Sequence, residues 1–315
     1  MGRRVFTRWP FCCIISVMNK KILAALLVIA VIFGGSWWYM KTGTAEYNTV
    51  TKTVMLANDD GTFTKAQIII PDDYKDVSYP LVTLSHGFRG TMDSAGGNYL
   101  AEDLATHGIA TIRMDFSHYV SKTGSSQTNQ YTTDTMISDV VKCIRYMAAN
   151  YNVDTDRIGL YGRSWGGRVA MKMGNESSGG FDYKAMALVA PAGNDNALQY
   201  YMVGGWNQMK AEAEKNGSVT HQGIVLTSDF FKEIESYDPC DYGYKFGDKP
   251  VLVIYNTLDH VVLPETSLEC ANAYKNVTKI KITSNGGHGY EMGYKHSKVK
   301  DMLIGRIRDF FLANL

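Results

Sequence analysis

Short apolar runs alternate with helical patterns along most of this chain, and no other feature restricts its fold as strongly. The runs typical of buried strands are residues 81–84, 109–114, 158–161, 185–189, 251–255 and 279–282. The stretches typical of helices are residues 98–107, 136–149, 165–173 and 299–312. Strands that alternate with helices build a mostly parallel sheet covered by helices on both faces. The sequence therefore predicts an α/β fold with such a central sheet.

Two regions depart from this alternation. Residues 51–57 and 64–70 are typical strands around the turn Asp59-Asp60-Gly61, which predicts a hairpin and an antiparallel edge. Residues from about 194 to 246 show no clear strand, carry many aromatic side chains and separate two predicted core strands. We expect this insertion to form a cap at one end of the sheet, with a passive packing excursion as the alternative.

The N-terminal segment, residues 1–45, differs in charge from the rest of the chain. Residues 1–41 hold six Lys or Arg and no Asp or Glu, although the net charge of the whole chain is only +1. The uncharged residues 22–40 would span about 28 Å as a helix, close to the thickness of a bilayer core. Trp37, Trp38 and Tyr39 are typical of a membrane interface. We therefore predict a cytoplasmic tail and a membrane anchor, with residues 46–315 outside the cytoplasm.

Two alternatives to the anchor remain open. The small residues at 43–45, Gly-Thr-Ala, suit cleavage of a signal segment, after which the protein would be secreted. The second alternative is that the apolar run forms a buried core helix. The nearly neutral net charge argues against a general nucleic-acid binder, which carries a basic surplus.

A nucleophile is predicted where the strand at residues 158–161 meets the following helix. The connection is Gly162-Arg-Ser164-Trp-Gly166, a Gly-x-Ser-x-Gly pattern. A serine at such a sharp strand-to-helix turn is presented for attack, and the flanking glycines relieve crowding around it. The alternative is a glycine-rich connection without a chemical role.

A serine hydroxyl needs a base near neutral pH, and the base needs a carboxylate that fixes its tautomer. His288 lies in a glycine-rich loop directly after the last predicted strand, and Asp259 follows the strand at residues 251–255. The order Ser164, Asp259, His288 is one that serine hydrolases use. A generic loop histidine and a carboxylate that caps the next helix are the alternatives, with Asp238 and Asp241 as further candidate acids.

Two backbone N–H groups are candidates to stabilise an oxyanion. The N–H of Trp165 directly follows the nucleophile, and that of Phe88 lies in the glycine-containing loop after an early strand, residues 85–90. We expect His86 to orient this loop rather than to transfer protons.

We expect neither a cofactor nor a metal ion. The absence of a Cys-x-x-Cys pair argues against a structural zinc site. Cys143 falls on the apolar side of a predicted helix, as a small buried side chain would. Cys240 and Cys270 are candidates for a disulfide in an oxidising compartment, and the sequence leaves their pairing open.

With these residues in order, residues 50–315 resemble the α/β-hydrolase superfamily, and within it the feruloyl (cinnamoyl) esterase-like branch. The segments that carry the resemblance are residues 85–90, 100–116, 158–167, 230–238 and 251–262. The resemblance implies the α/β-hydrolase fold with an eight-stranded core and a small inserted cap. It also implies hydrolysis of carboxylic esters without a cofactor.

Three positions depart from the pattern of that branch. Tyr255-Asn256 stands where relatives usually have His-Gly, and Arg163 where they more often have His. Residues 117–120, Ser-His-Tyr-Val, replace the usual Ser-Gly-His-Gly. Because none of these changes removes a predicted catalytic group, we expect them to affect the substrate rather than the reaction.

The leading functional hypothesis is a serine esterase that cleaves small-molecule esters of small or aromatic acids through an acyl-enzyme at Ser164. The same three residues can cleave amides, so an exopeptidase or amidase is the second hypothesis. The early strands are too few for a propeller domain of the oligopeptidase kind. A membrane-tethered binding protein without activity is the third hypothesis, although such a protein would usually lack a catalytic residue.

Overall fold

One sheet of eight strands forms the centre of the fold. In this computed structural model the strands are β1 (Thr49–Ala57), β2 (Phe63–Pro71), β3 (Tyr79–Ser85), β4 (Ala110–Asp115), β5 (Val153–Arg163), β6 (Tyr183–Val189), β7 (Ser218–His221), β8 (Ile224–Thr227), β9 (Val251–Asn256) and β10 (Val277–Ile282). The order in the large sheet is β1-β2-β4-β3-β5-β6-β9-β10. Only β1–β2 and β2–β4 are antiparallel among its neighbouring pairs. The predicted parallel sheet with an antiparallel edge hairpin is confirmed.

The structure describes residues 46–59, 61–117, 131–193, 205–221 and 223–315. They belong to the compact unit Glu46–Leu315. The predicted tail and anchor in residues 1–45 lie outside the described residues, and so does part of the predicted cap. Across the ranges that are described, no helix is both long and apolar enough to cross a bilayer.

Helices cover both faces of the sheet, as the alternating pattern predicted. They are α1 (Gly97–Thr106), α2 (Thr133–Asn150), α3 (Trp165–Glu176), α4 (Trp206–Asn216), α5 (Ser228–Ser236), α6 (Pro264–Asn272) and α7 (Lys298–Asn314). Side chains alternate between the faces along each strand. In β9, Val251 and Val253 join the core cluster that contains α2 and α3, whereas Leu252 and Ile254 join the cluster that contains α1 and α7.

The amphipathic pattern of α2 shows how the sequence produces one of these layers. Met136, Val140 and Ile144 recur at helical spacing, and all three are fully buried. The helix begins three residues before the predicted start because Thr132 forms a capping box with Thr135. The sequence thus fixes both the buried face and the N-terminal end of the helix.

The described part of the insertion between β6 and β9 contains α4, the hairpin β7–β8, α5 and the 3-10 segment Pro239–Phe246. The expectation that this insertion lacks strands is wrong. Each strand of the hairpin has only four residues, too few for an alternating pattern to stand out from the sequence.

A disulfide joins the end of this insertion to the helix that follows β9. Cys240 in the 3-10 segment is bonded to Cys270 in α6. The sequence had left open whether these two cysteines are paired. Cys143 is a free thiol and is fully buried in α2, as predicted. The bond therefore fastens the C-terminal end of the insertion to the main body of the fold.

Candidate active site

Ser164 alone connects β5 to α3, since β5 ends at Arg163 and α3 begins at Trp165. Its backbone has φ 55° and ψ −121°, a conformation that residues other than glycine rarely adopt. A Cβ atom at Gly162 would lie 2.1 Å from the carbonyl oxygen of Gly166, and one at Gly166 would lie 2.0 Å from the carbonyl oxygen of Ser85. Close backbone packing therefore explains why glycines stand on both sides of the serine.

The structure brings Ser164, His288 and Asp259 together in the predicted order. Nε2 of His288 lies 3.1 Å from Oγ of Ser164, and Nδ1 of His288 lies 2.8 Å from Oδ2 of Asp259. A carboxylate accepts hydrogen bonds, so Nδ1 carries the hydrogen and Nε2 is left as the acceptor for the serine hydroxyl. Such an arrangement can activate a serine as a nucleophile.

The second carboxylate oxygen of Asp259 fixes the turn in which the residue lies. Oδ1 accepts hydrogen bonds from the N–H groups of Val261 (2.9 Å) and Val262 (3.0 Å), and the side chain is almost fully buried. The next helix begins only at Pro264 with Leu263 as its N-cap. Asp259 therefore does not cap that helix, which was the alternative interpretation of this carboxylate.

The other candidate acids lie in the 3-10 segment of the insertion. Asp238 caps that segment by accepting a hydrogen bond from the N–H of Cys240 at 2.9 Å, and Asp241 is exposed within it. The geometry therefore favours Asp259 over both as the partner of His288.

The surroundings of His288 favour its neutral form. Burial is the main cause that lowers the pKa of His288 from its ordinary value of 6.5, and the hydrogen bond to Asp259 opposes this effect. The positive charge of Arg163 lowers the pKa of His288 further, and so does the neighbouring His260. A neutral imidazole near pH 7 is the form that can accept a proton from Ser164.

The loop of residues 86–90 lies directly against the nucleophile. A Cβ atom at Gly87 would come within 3.0 Å of Cβ of Ser164, and the N–H of Gly90 donates to the carbonyl of Gly87 at 2.9 Å to close a turn. Phe88 is the first residue inside that turn. Trp165 is the first residue of α3, so its N–H has no partner within the helix. Gly87 and Ser164 are therefore in contact, and each is directly followed by one of the two predicted oxyanion donors, Phe88 and Trp165.

His86 holds this loop, as the sequence led us to expect. Its Nδ1 lies 2.8 Å from the carbonyl oxygen of Gly87, and its Nε2 accepts a hydrogen bond from the N–H of Phe116 at 3.4 Å. Burial lowers the pKa of His86, which favours a neutral ring with the hydrogen on Nδ1. The ring therefore supports the main chain of the loop.

The insertion packs an aromatic side chain against the residue after the nucleophile. The ring of Trp165 stacks on that of Phe230 in α5, with 5.5 Å between centroids and 20° between planes. Phe88 and Tyr131 also contact Trp165, at 5.7 and 5.9 Å. The described part of the insertion therefore packs against the residue that follows the nucleophile, and the cap itself stays a prediction. Tyr131 lacked a sequence signal because it precedes α2 without belonging to any periodic pattern.

The remaining histidines lie in other settings. Nδ1 of His107 is 2.6 Å from the carbonyl oxygen of Asp103, His221 ends β7, and His296 is exposed. His118 lies outside the described residues.

Two residues at the site have contacts that sequence reasoning missed. Arg163 donates a hydrogen bond from Nη2 to the main-chain carbonyl of His288. The buried side chain of Asn256 donates to the carbonyls of Ser284 and Gly287. The sequence marked Arg163 and Asn256 as departures expected to affect the substrate, whereas the structure places both against the loop of His288. The available signal was their position at the ends of β5 and β9, directly before the loops that carry Ser164 and Asp259.

Comparisons with known proteins identify a family and a fold for this chain. The model of the prolyl oligopeptidase family matches residues 124–315, more than half of the chain. No protein with a curated description matches the sequence.

Solved structures share the fold. Est1E from Butyrivibrio proteoclasticus with ferulic acid bound is 20% identical and has a TM-score of 0.63, covering 83% of this chain and 99% of that one. An acetyl xylan esterase from Paenibacillus sp. R4 is 17% identical with a TM-score of 0.62, covering 85% of this chain and 84% of that one. A hypothetical protein from Pseudomonas aeruginosa is 15% identical with a TM-score of 0.67, covering 86% and 95%. The chain therefore has the α/β-hydrolase fold.

Proposed function

This chain belongs to the prolyl oligopeptidase family, and from that premise we propose that it is a serine esterase acting through an acyl-enzyme at Ser164. The observation that carries the proposal is the pair of hydrogen bonds that His288 forms, accepting from Oγ of Ser164 at 3.1 Å and donating to Oδ2 of Asp259 at 2.8 Å. The substrates we propose are small-molecule carboxylic esters with small or aromatic acyl groups.

In the proposed reaction, neutral His288 takes the hydroxyl proton as Oγ of Ser164 attacks the ester carbonyl carbon. The carbonyl oxygen becomes an oxyanion that accepts hydrogen bonds from the N–H groups of Phe88 and Trp165. The imidazolium, stabilised by Asp259, then gives its proton to the departing alcohol. A water molecule then gives a proton to His288 as it attacks the acyl carbon. The proton passes to Oγ of Ser164 as the acid is released.

The ester preference is supported by the names of proteins with this fold and by the aromatic surroundings of the nucleophile. Est1E binds ferulic acid, an aromatic acid, and the Paenibacillus protein is an acetyl xylan esterase. In this chain the rings of Phe88, Trp165 and Phe230 form an aromatic cluster around the residue that follows Ser164. Apolar and aromatic surroundings of this kind suit an uncharged acyl group.

The direct test is hydrolysis of short-chain and feruloyl nitrophenyl esters by the purified full-length protein and by Ser164→Ala. We expect turnover by the unmodified protein and a loss of roughly 10⁴-fold or more in the variant, since the nucleophile is gone. Equal activity of the two proteins would contradict an acyl-enzyme at Ser164.

An exopeptidase or amidase is the second candidate, and the match to a peptidase family is the observation that favours it. Amide bonds need the same nucleophile and base but a protonated amine as leaving group. A panel of amino-acyl nitroanilides beside acetyl and feruloyl esters separates the two. A higher kcat/KM for the nitroanilides would replace the esterase by the peptidase.

We also propose that residues 22–40 anchor the chain in a membrane, with residues 46–315 outside the cytoplasm. The disulfide between Cys240 and Cys270 supports an oxidising compartment, because such bonds seldom persist in a reducing cytosol. After cell fractionation, the full chain is expected in carbonate-washed membranes and a variant without residues 1–45 in the soluble fraction. Recovery of a shortened chain from the medium would instead indicate cleavage and secretion.

A further inference from the structure

Arg163 is the last residue of β5 and Asn256 is the last residue of β9, and both side chains bind the main chain of the His288 loop, residues 283–291. We propose that these two side chains are positioning residues that hold His288 between Ser164 and Asp259. Neither side chain needs to touch the substrate in this role, which rests on the proposed hydrolase activity.

Asn256 connects the loop of the acid to the loop of the base. Its Nδ2 donates to the carbonyl oxygens of Ser284 (2.8 Å) and Gly287 (2.9 Å). Its Oδ1 accepts from the N–H groups of Ser284 (2.9 Å) and Leu258 (3.2 Å). The amide thus uses two donors and two acceptor positions, its full capacity. Leu258 directly precedes Asp259 and Gly287 directly precedes His288, so one side chain fixes both flanks of the Asp259–His288 hydrogen bond.

Burial makes this connection strong. Asn256 is fully buried. A buried polar group that loses its hydrogen-bond partner destabilises the fold more than an exposed one, because no water molecule replaces the partner. The backbone N–H of Asn256 also donates to the hydroxyl of Tyr290, near the C-terminal end of the same loop, at 2.8 Å. A glycine, the residue usual in the resembling branch, would keep this backbone contact but offers no side chain for the four hydrogen bonds of the amide.

Arg163 connects the same loop to the nucleophile. It directly precedes Ser164, and its Nη2 donates to the carbonyl oxygen of His288 itself. The main-chain carbonyl of His288 is therefore hydrogen-bonded to the residue beside Ser164. This bond fixes the distance between the imidazole of His288 and Oγ of Ser164.

The backbone of the His288 loop needs such support. Gly287, Tyr290 and Glu291 have φ values of 52°, 55° and 55°, and the last two are conformations that side-chain-bearing residues adopt only when their surroundings enforce them. The titratable and charged side chains that face His288 are those of Asp259, Arg163 and His260. Arg163 therefore has a second effect, because its positive charge disfavours protonation of His288.

The first experiment compares Asn256→Ala with Asn175→Ala in the full-length protein. Asn175 is a matched control because it is also buried, donates to the carbonyl of Pro239 at 2.9 Å and accepts from Tyr274. For Asn256→Ala we expect kcat for ester hydrolysis to fall about 100-fold, with KM changed by less than about threefold, since a displaced reacting group loses rate rather than binding. Asn175→Ala is expected to lower the thermal midpoint but leave kcat unchanged. Equal kcat values for the two variants would overturn the role of Asn256.

The second experiment tests the positioning role even where Asn256→Ala does not fold. Arg163→Met removes both the hydrogen bond and the charge, whereas Arg163→Lys keeps a cation and a donor. We expect Arg163→Met to lower kcat about tenfold or more and to move the acid limb of kcat/KM to higher pH, because the pKa of His288 rises when the cation is lost. Arg163→Lys should restore the pH profile and most of kcat. Identical profiles for the unmodified protein and Arg163→Met would overturn the proposal.

The unmodified protein in the same assays separates this inference from the proposed function. If it hydrolyses none of the esters, the esterase fails and the positioning role fails with it. If it is active while the Asn256 and Arg163 variants behave like Asn175→Ala, only the positioning role is wrong.

Discussion

The turn around Ser164 and the His288 loop each hold one side chain in place, and they do so with different groups. At Ser164 the main chain is held by main chain: its N–H donates to the carbonyl of Val189 at 2.9 Å, and its carbonyl accepts from the N–H groups of Gly167 (2.8 Å) and Ala192 (3.0 Å). The His288 loop forms main-chain turns of its own, but the side chains of Asn256 and Arg163 bind its main chain to β9 and β5.

This difference explains why one region can be recognised from a short pattern and the other cannot. Close main-chain packing demands glycines at fixed neighbouring positions, so Gly162 and Gly166 mark the turn in the sequence. Side-chain contacts come from distant parts of the chain and leave no local pattern. The variants below are chosen to weaken one region without disturbing the other.

The largest effect is expected on the side of the base, from Asp259→Asn. An amide in place of the carboxylate can donate to Nδ1 of His288, which would move the hydrogen to Nε2 and leave no acceptor for the serine proton. We expect kcat to fall about 10⁴-fold with little change in stability. Steady-state ester hydrolysis and a chemical denaturation curve measure the two quantities. A loss below tenfold would show that Asp259 does not orient the base.

A smaller effect is expected at the nucleophile turn, from Gly166→Ala. The new Cβ would lie 2.0 Å from the carbonyl oxygen of Ser85, so strands or helix must shift, at a cost of about 3 kcal/mol in the free energy of unfolding. Gly305→Ala in α7 is the control, because its nearest neighbour is a flexible Arg308 side chain at 3.7 Å. That control should gain about 0.5–1 kcal/mol from helix propensity. Urea denaturation that shows equal stability for both variants would contradict the close packing at the turn.

The smallest effect concerns the pH dependence of the unmodified protein. Activity requires neutral His288, so kcat/KM falls as the pH drops through the pKa of this residue. Burial lowers that pKa below 6.5 in the folded protein, and activity should therefore persist to a lower pH than an exposed histidine would allow. A pH series of kcat/KM checks this, and a midpoint above pH 7 would show that the hydrogen bond to Asp259 outweighs burial.

Much of the fold was predictable because its elements are long and periodic. The strands that became β3, β4, β6 and β9 were visible as apolar runs, and the antiparallel hairpin was visible from its turn residues. The hairpin β7–β8 was missed because four-residue strands carry too few residues to show alternation. The helices of the insertion were missed for a related reason, since aromatic content indicated burial but gave no period.

The candidate site was predictable to the extent that it depends on chain order. Ser164, Asp259 and His288 each follow a strand of the sheet, and parallel strands bring such positions to one edge. The roles of Arg163 and Asn256 could not be read in the same way, because their partners become neighbours only after three separate loops meet. Tyr131 was missed because its contact with Trp165 depends on the same tertiary arrangement.

The central claim, that Ser164 is a nucleophile activated by His288, is tested most directly by covalent labelling. The full-length protein is treated with a fluorophosphonate and its intact mass is measured, beside Ser164→Ala and His288→Ala. We expect one adduct on the unmodified protein, located at Ser164 by peptide mapping, no adduct on Ser164→Ala and greatly slowed labelling of His288→Ala. No adduct on the unmodified protein, or an equal adduct on Ser164→Ala, would contradict the account.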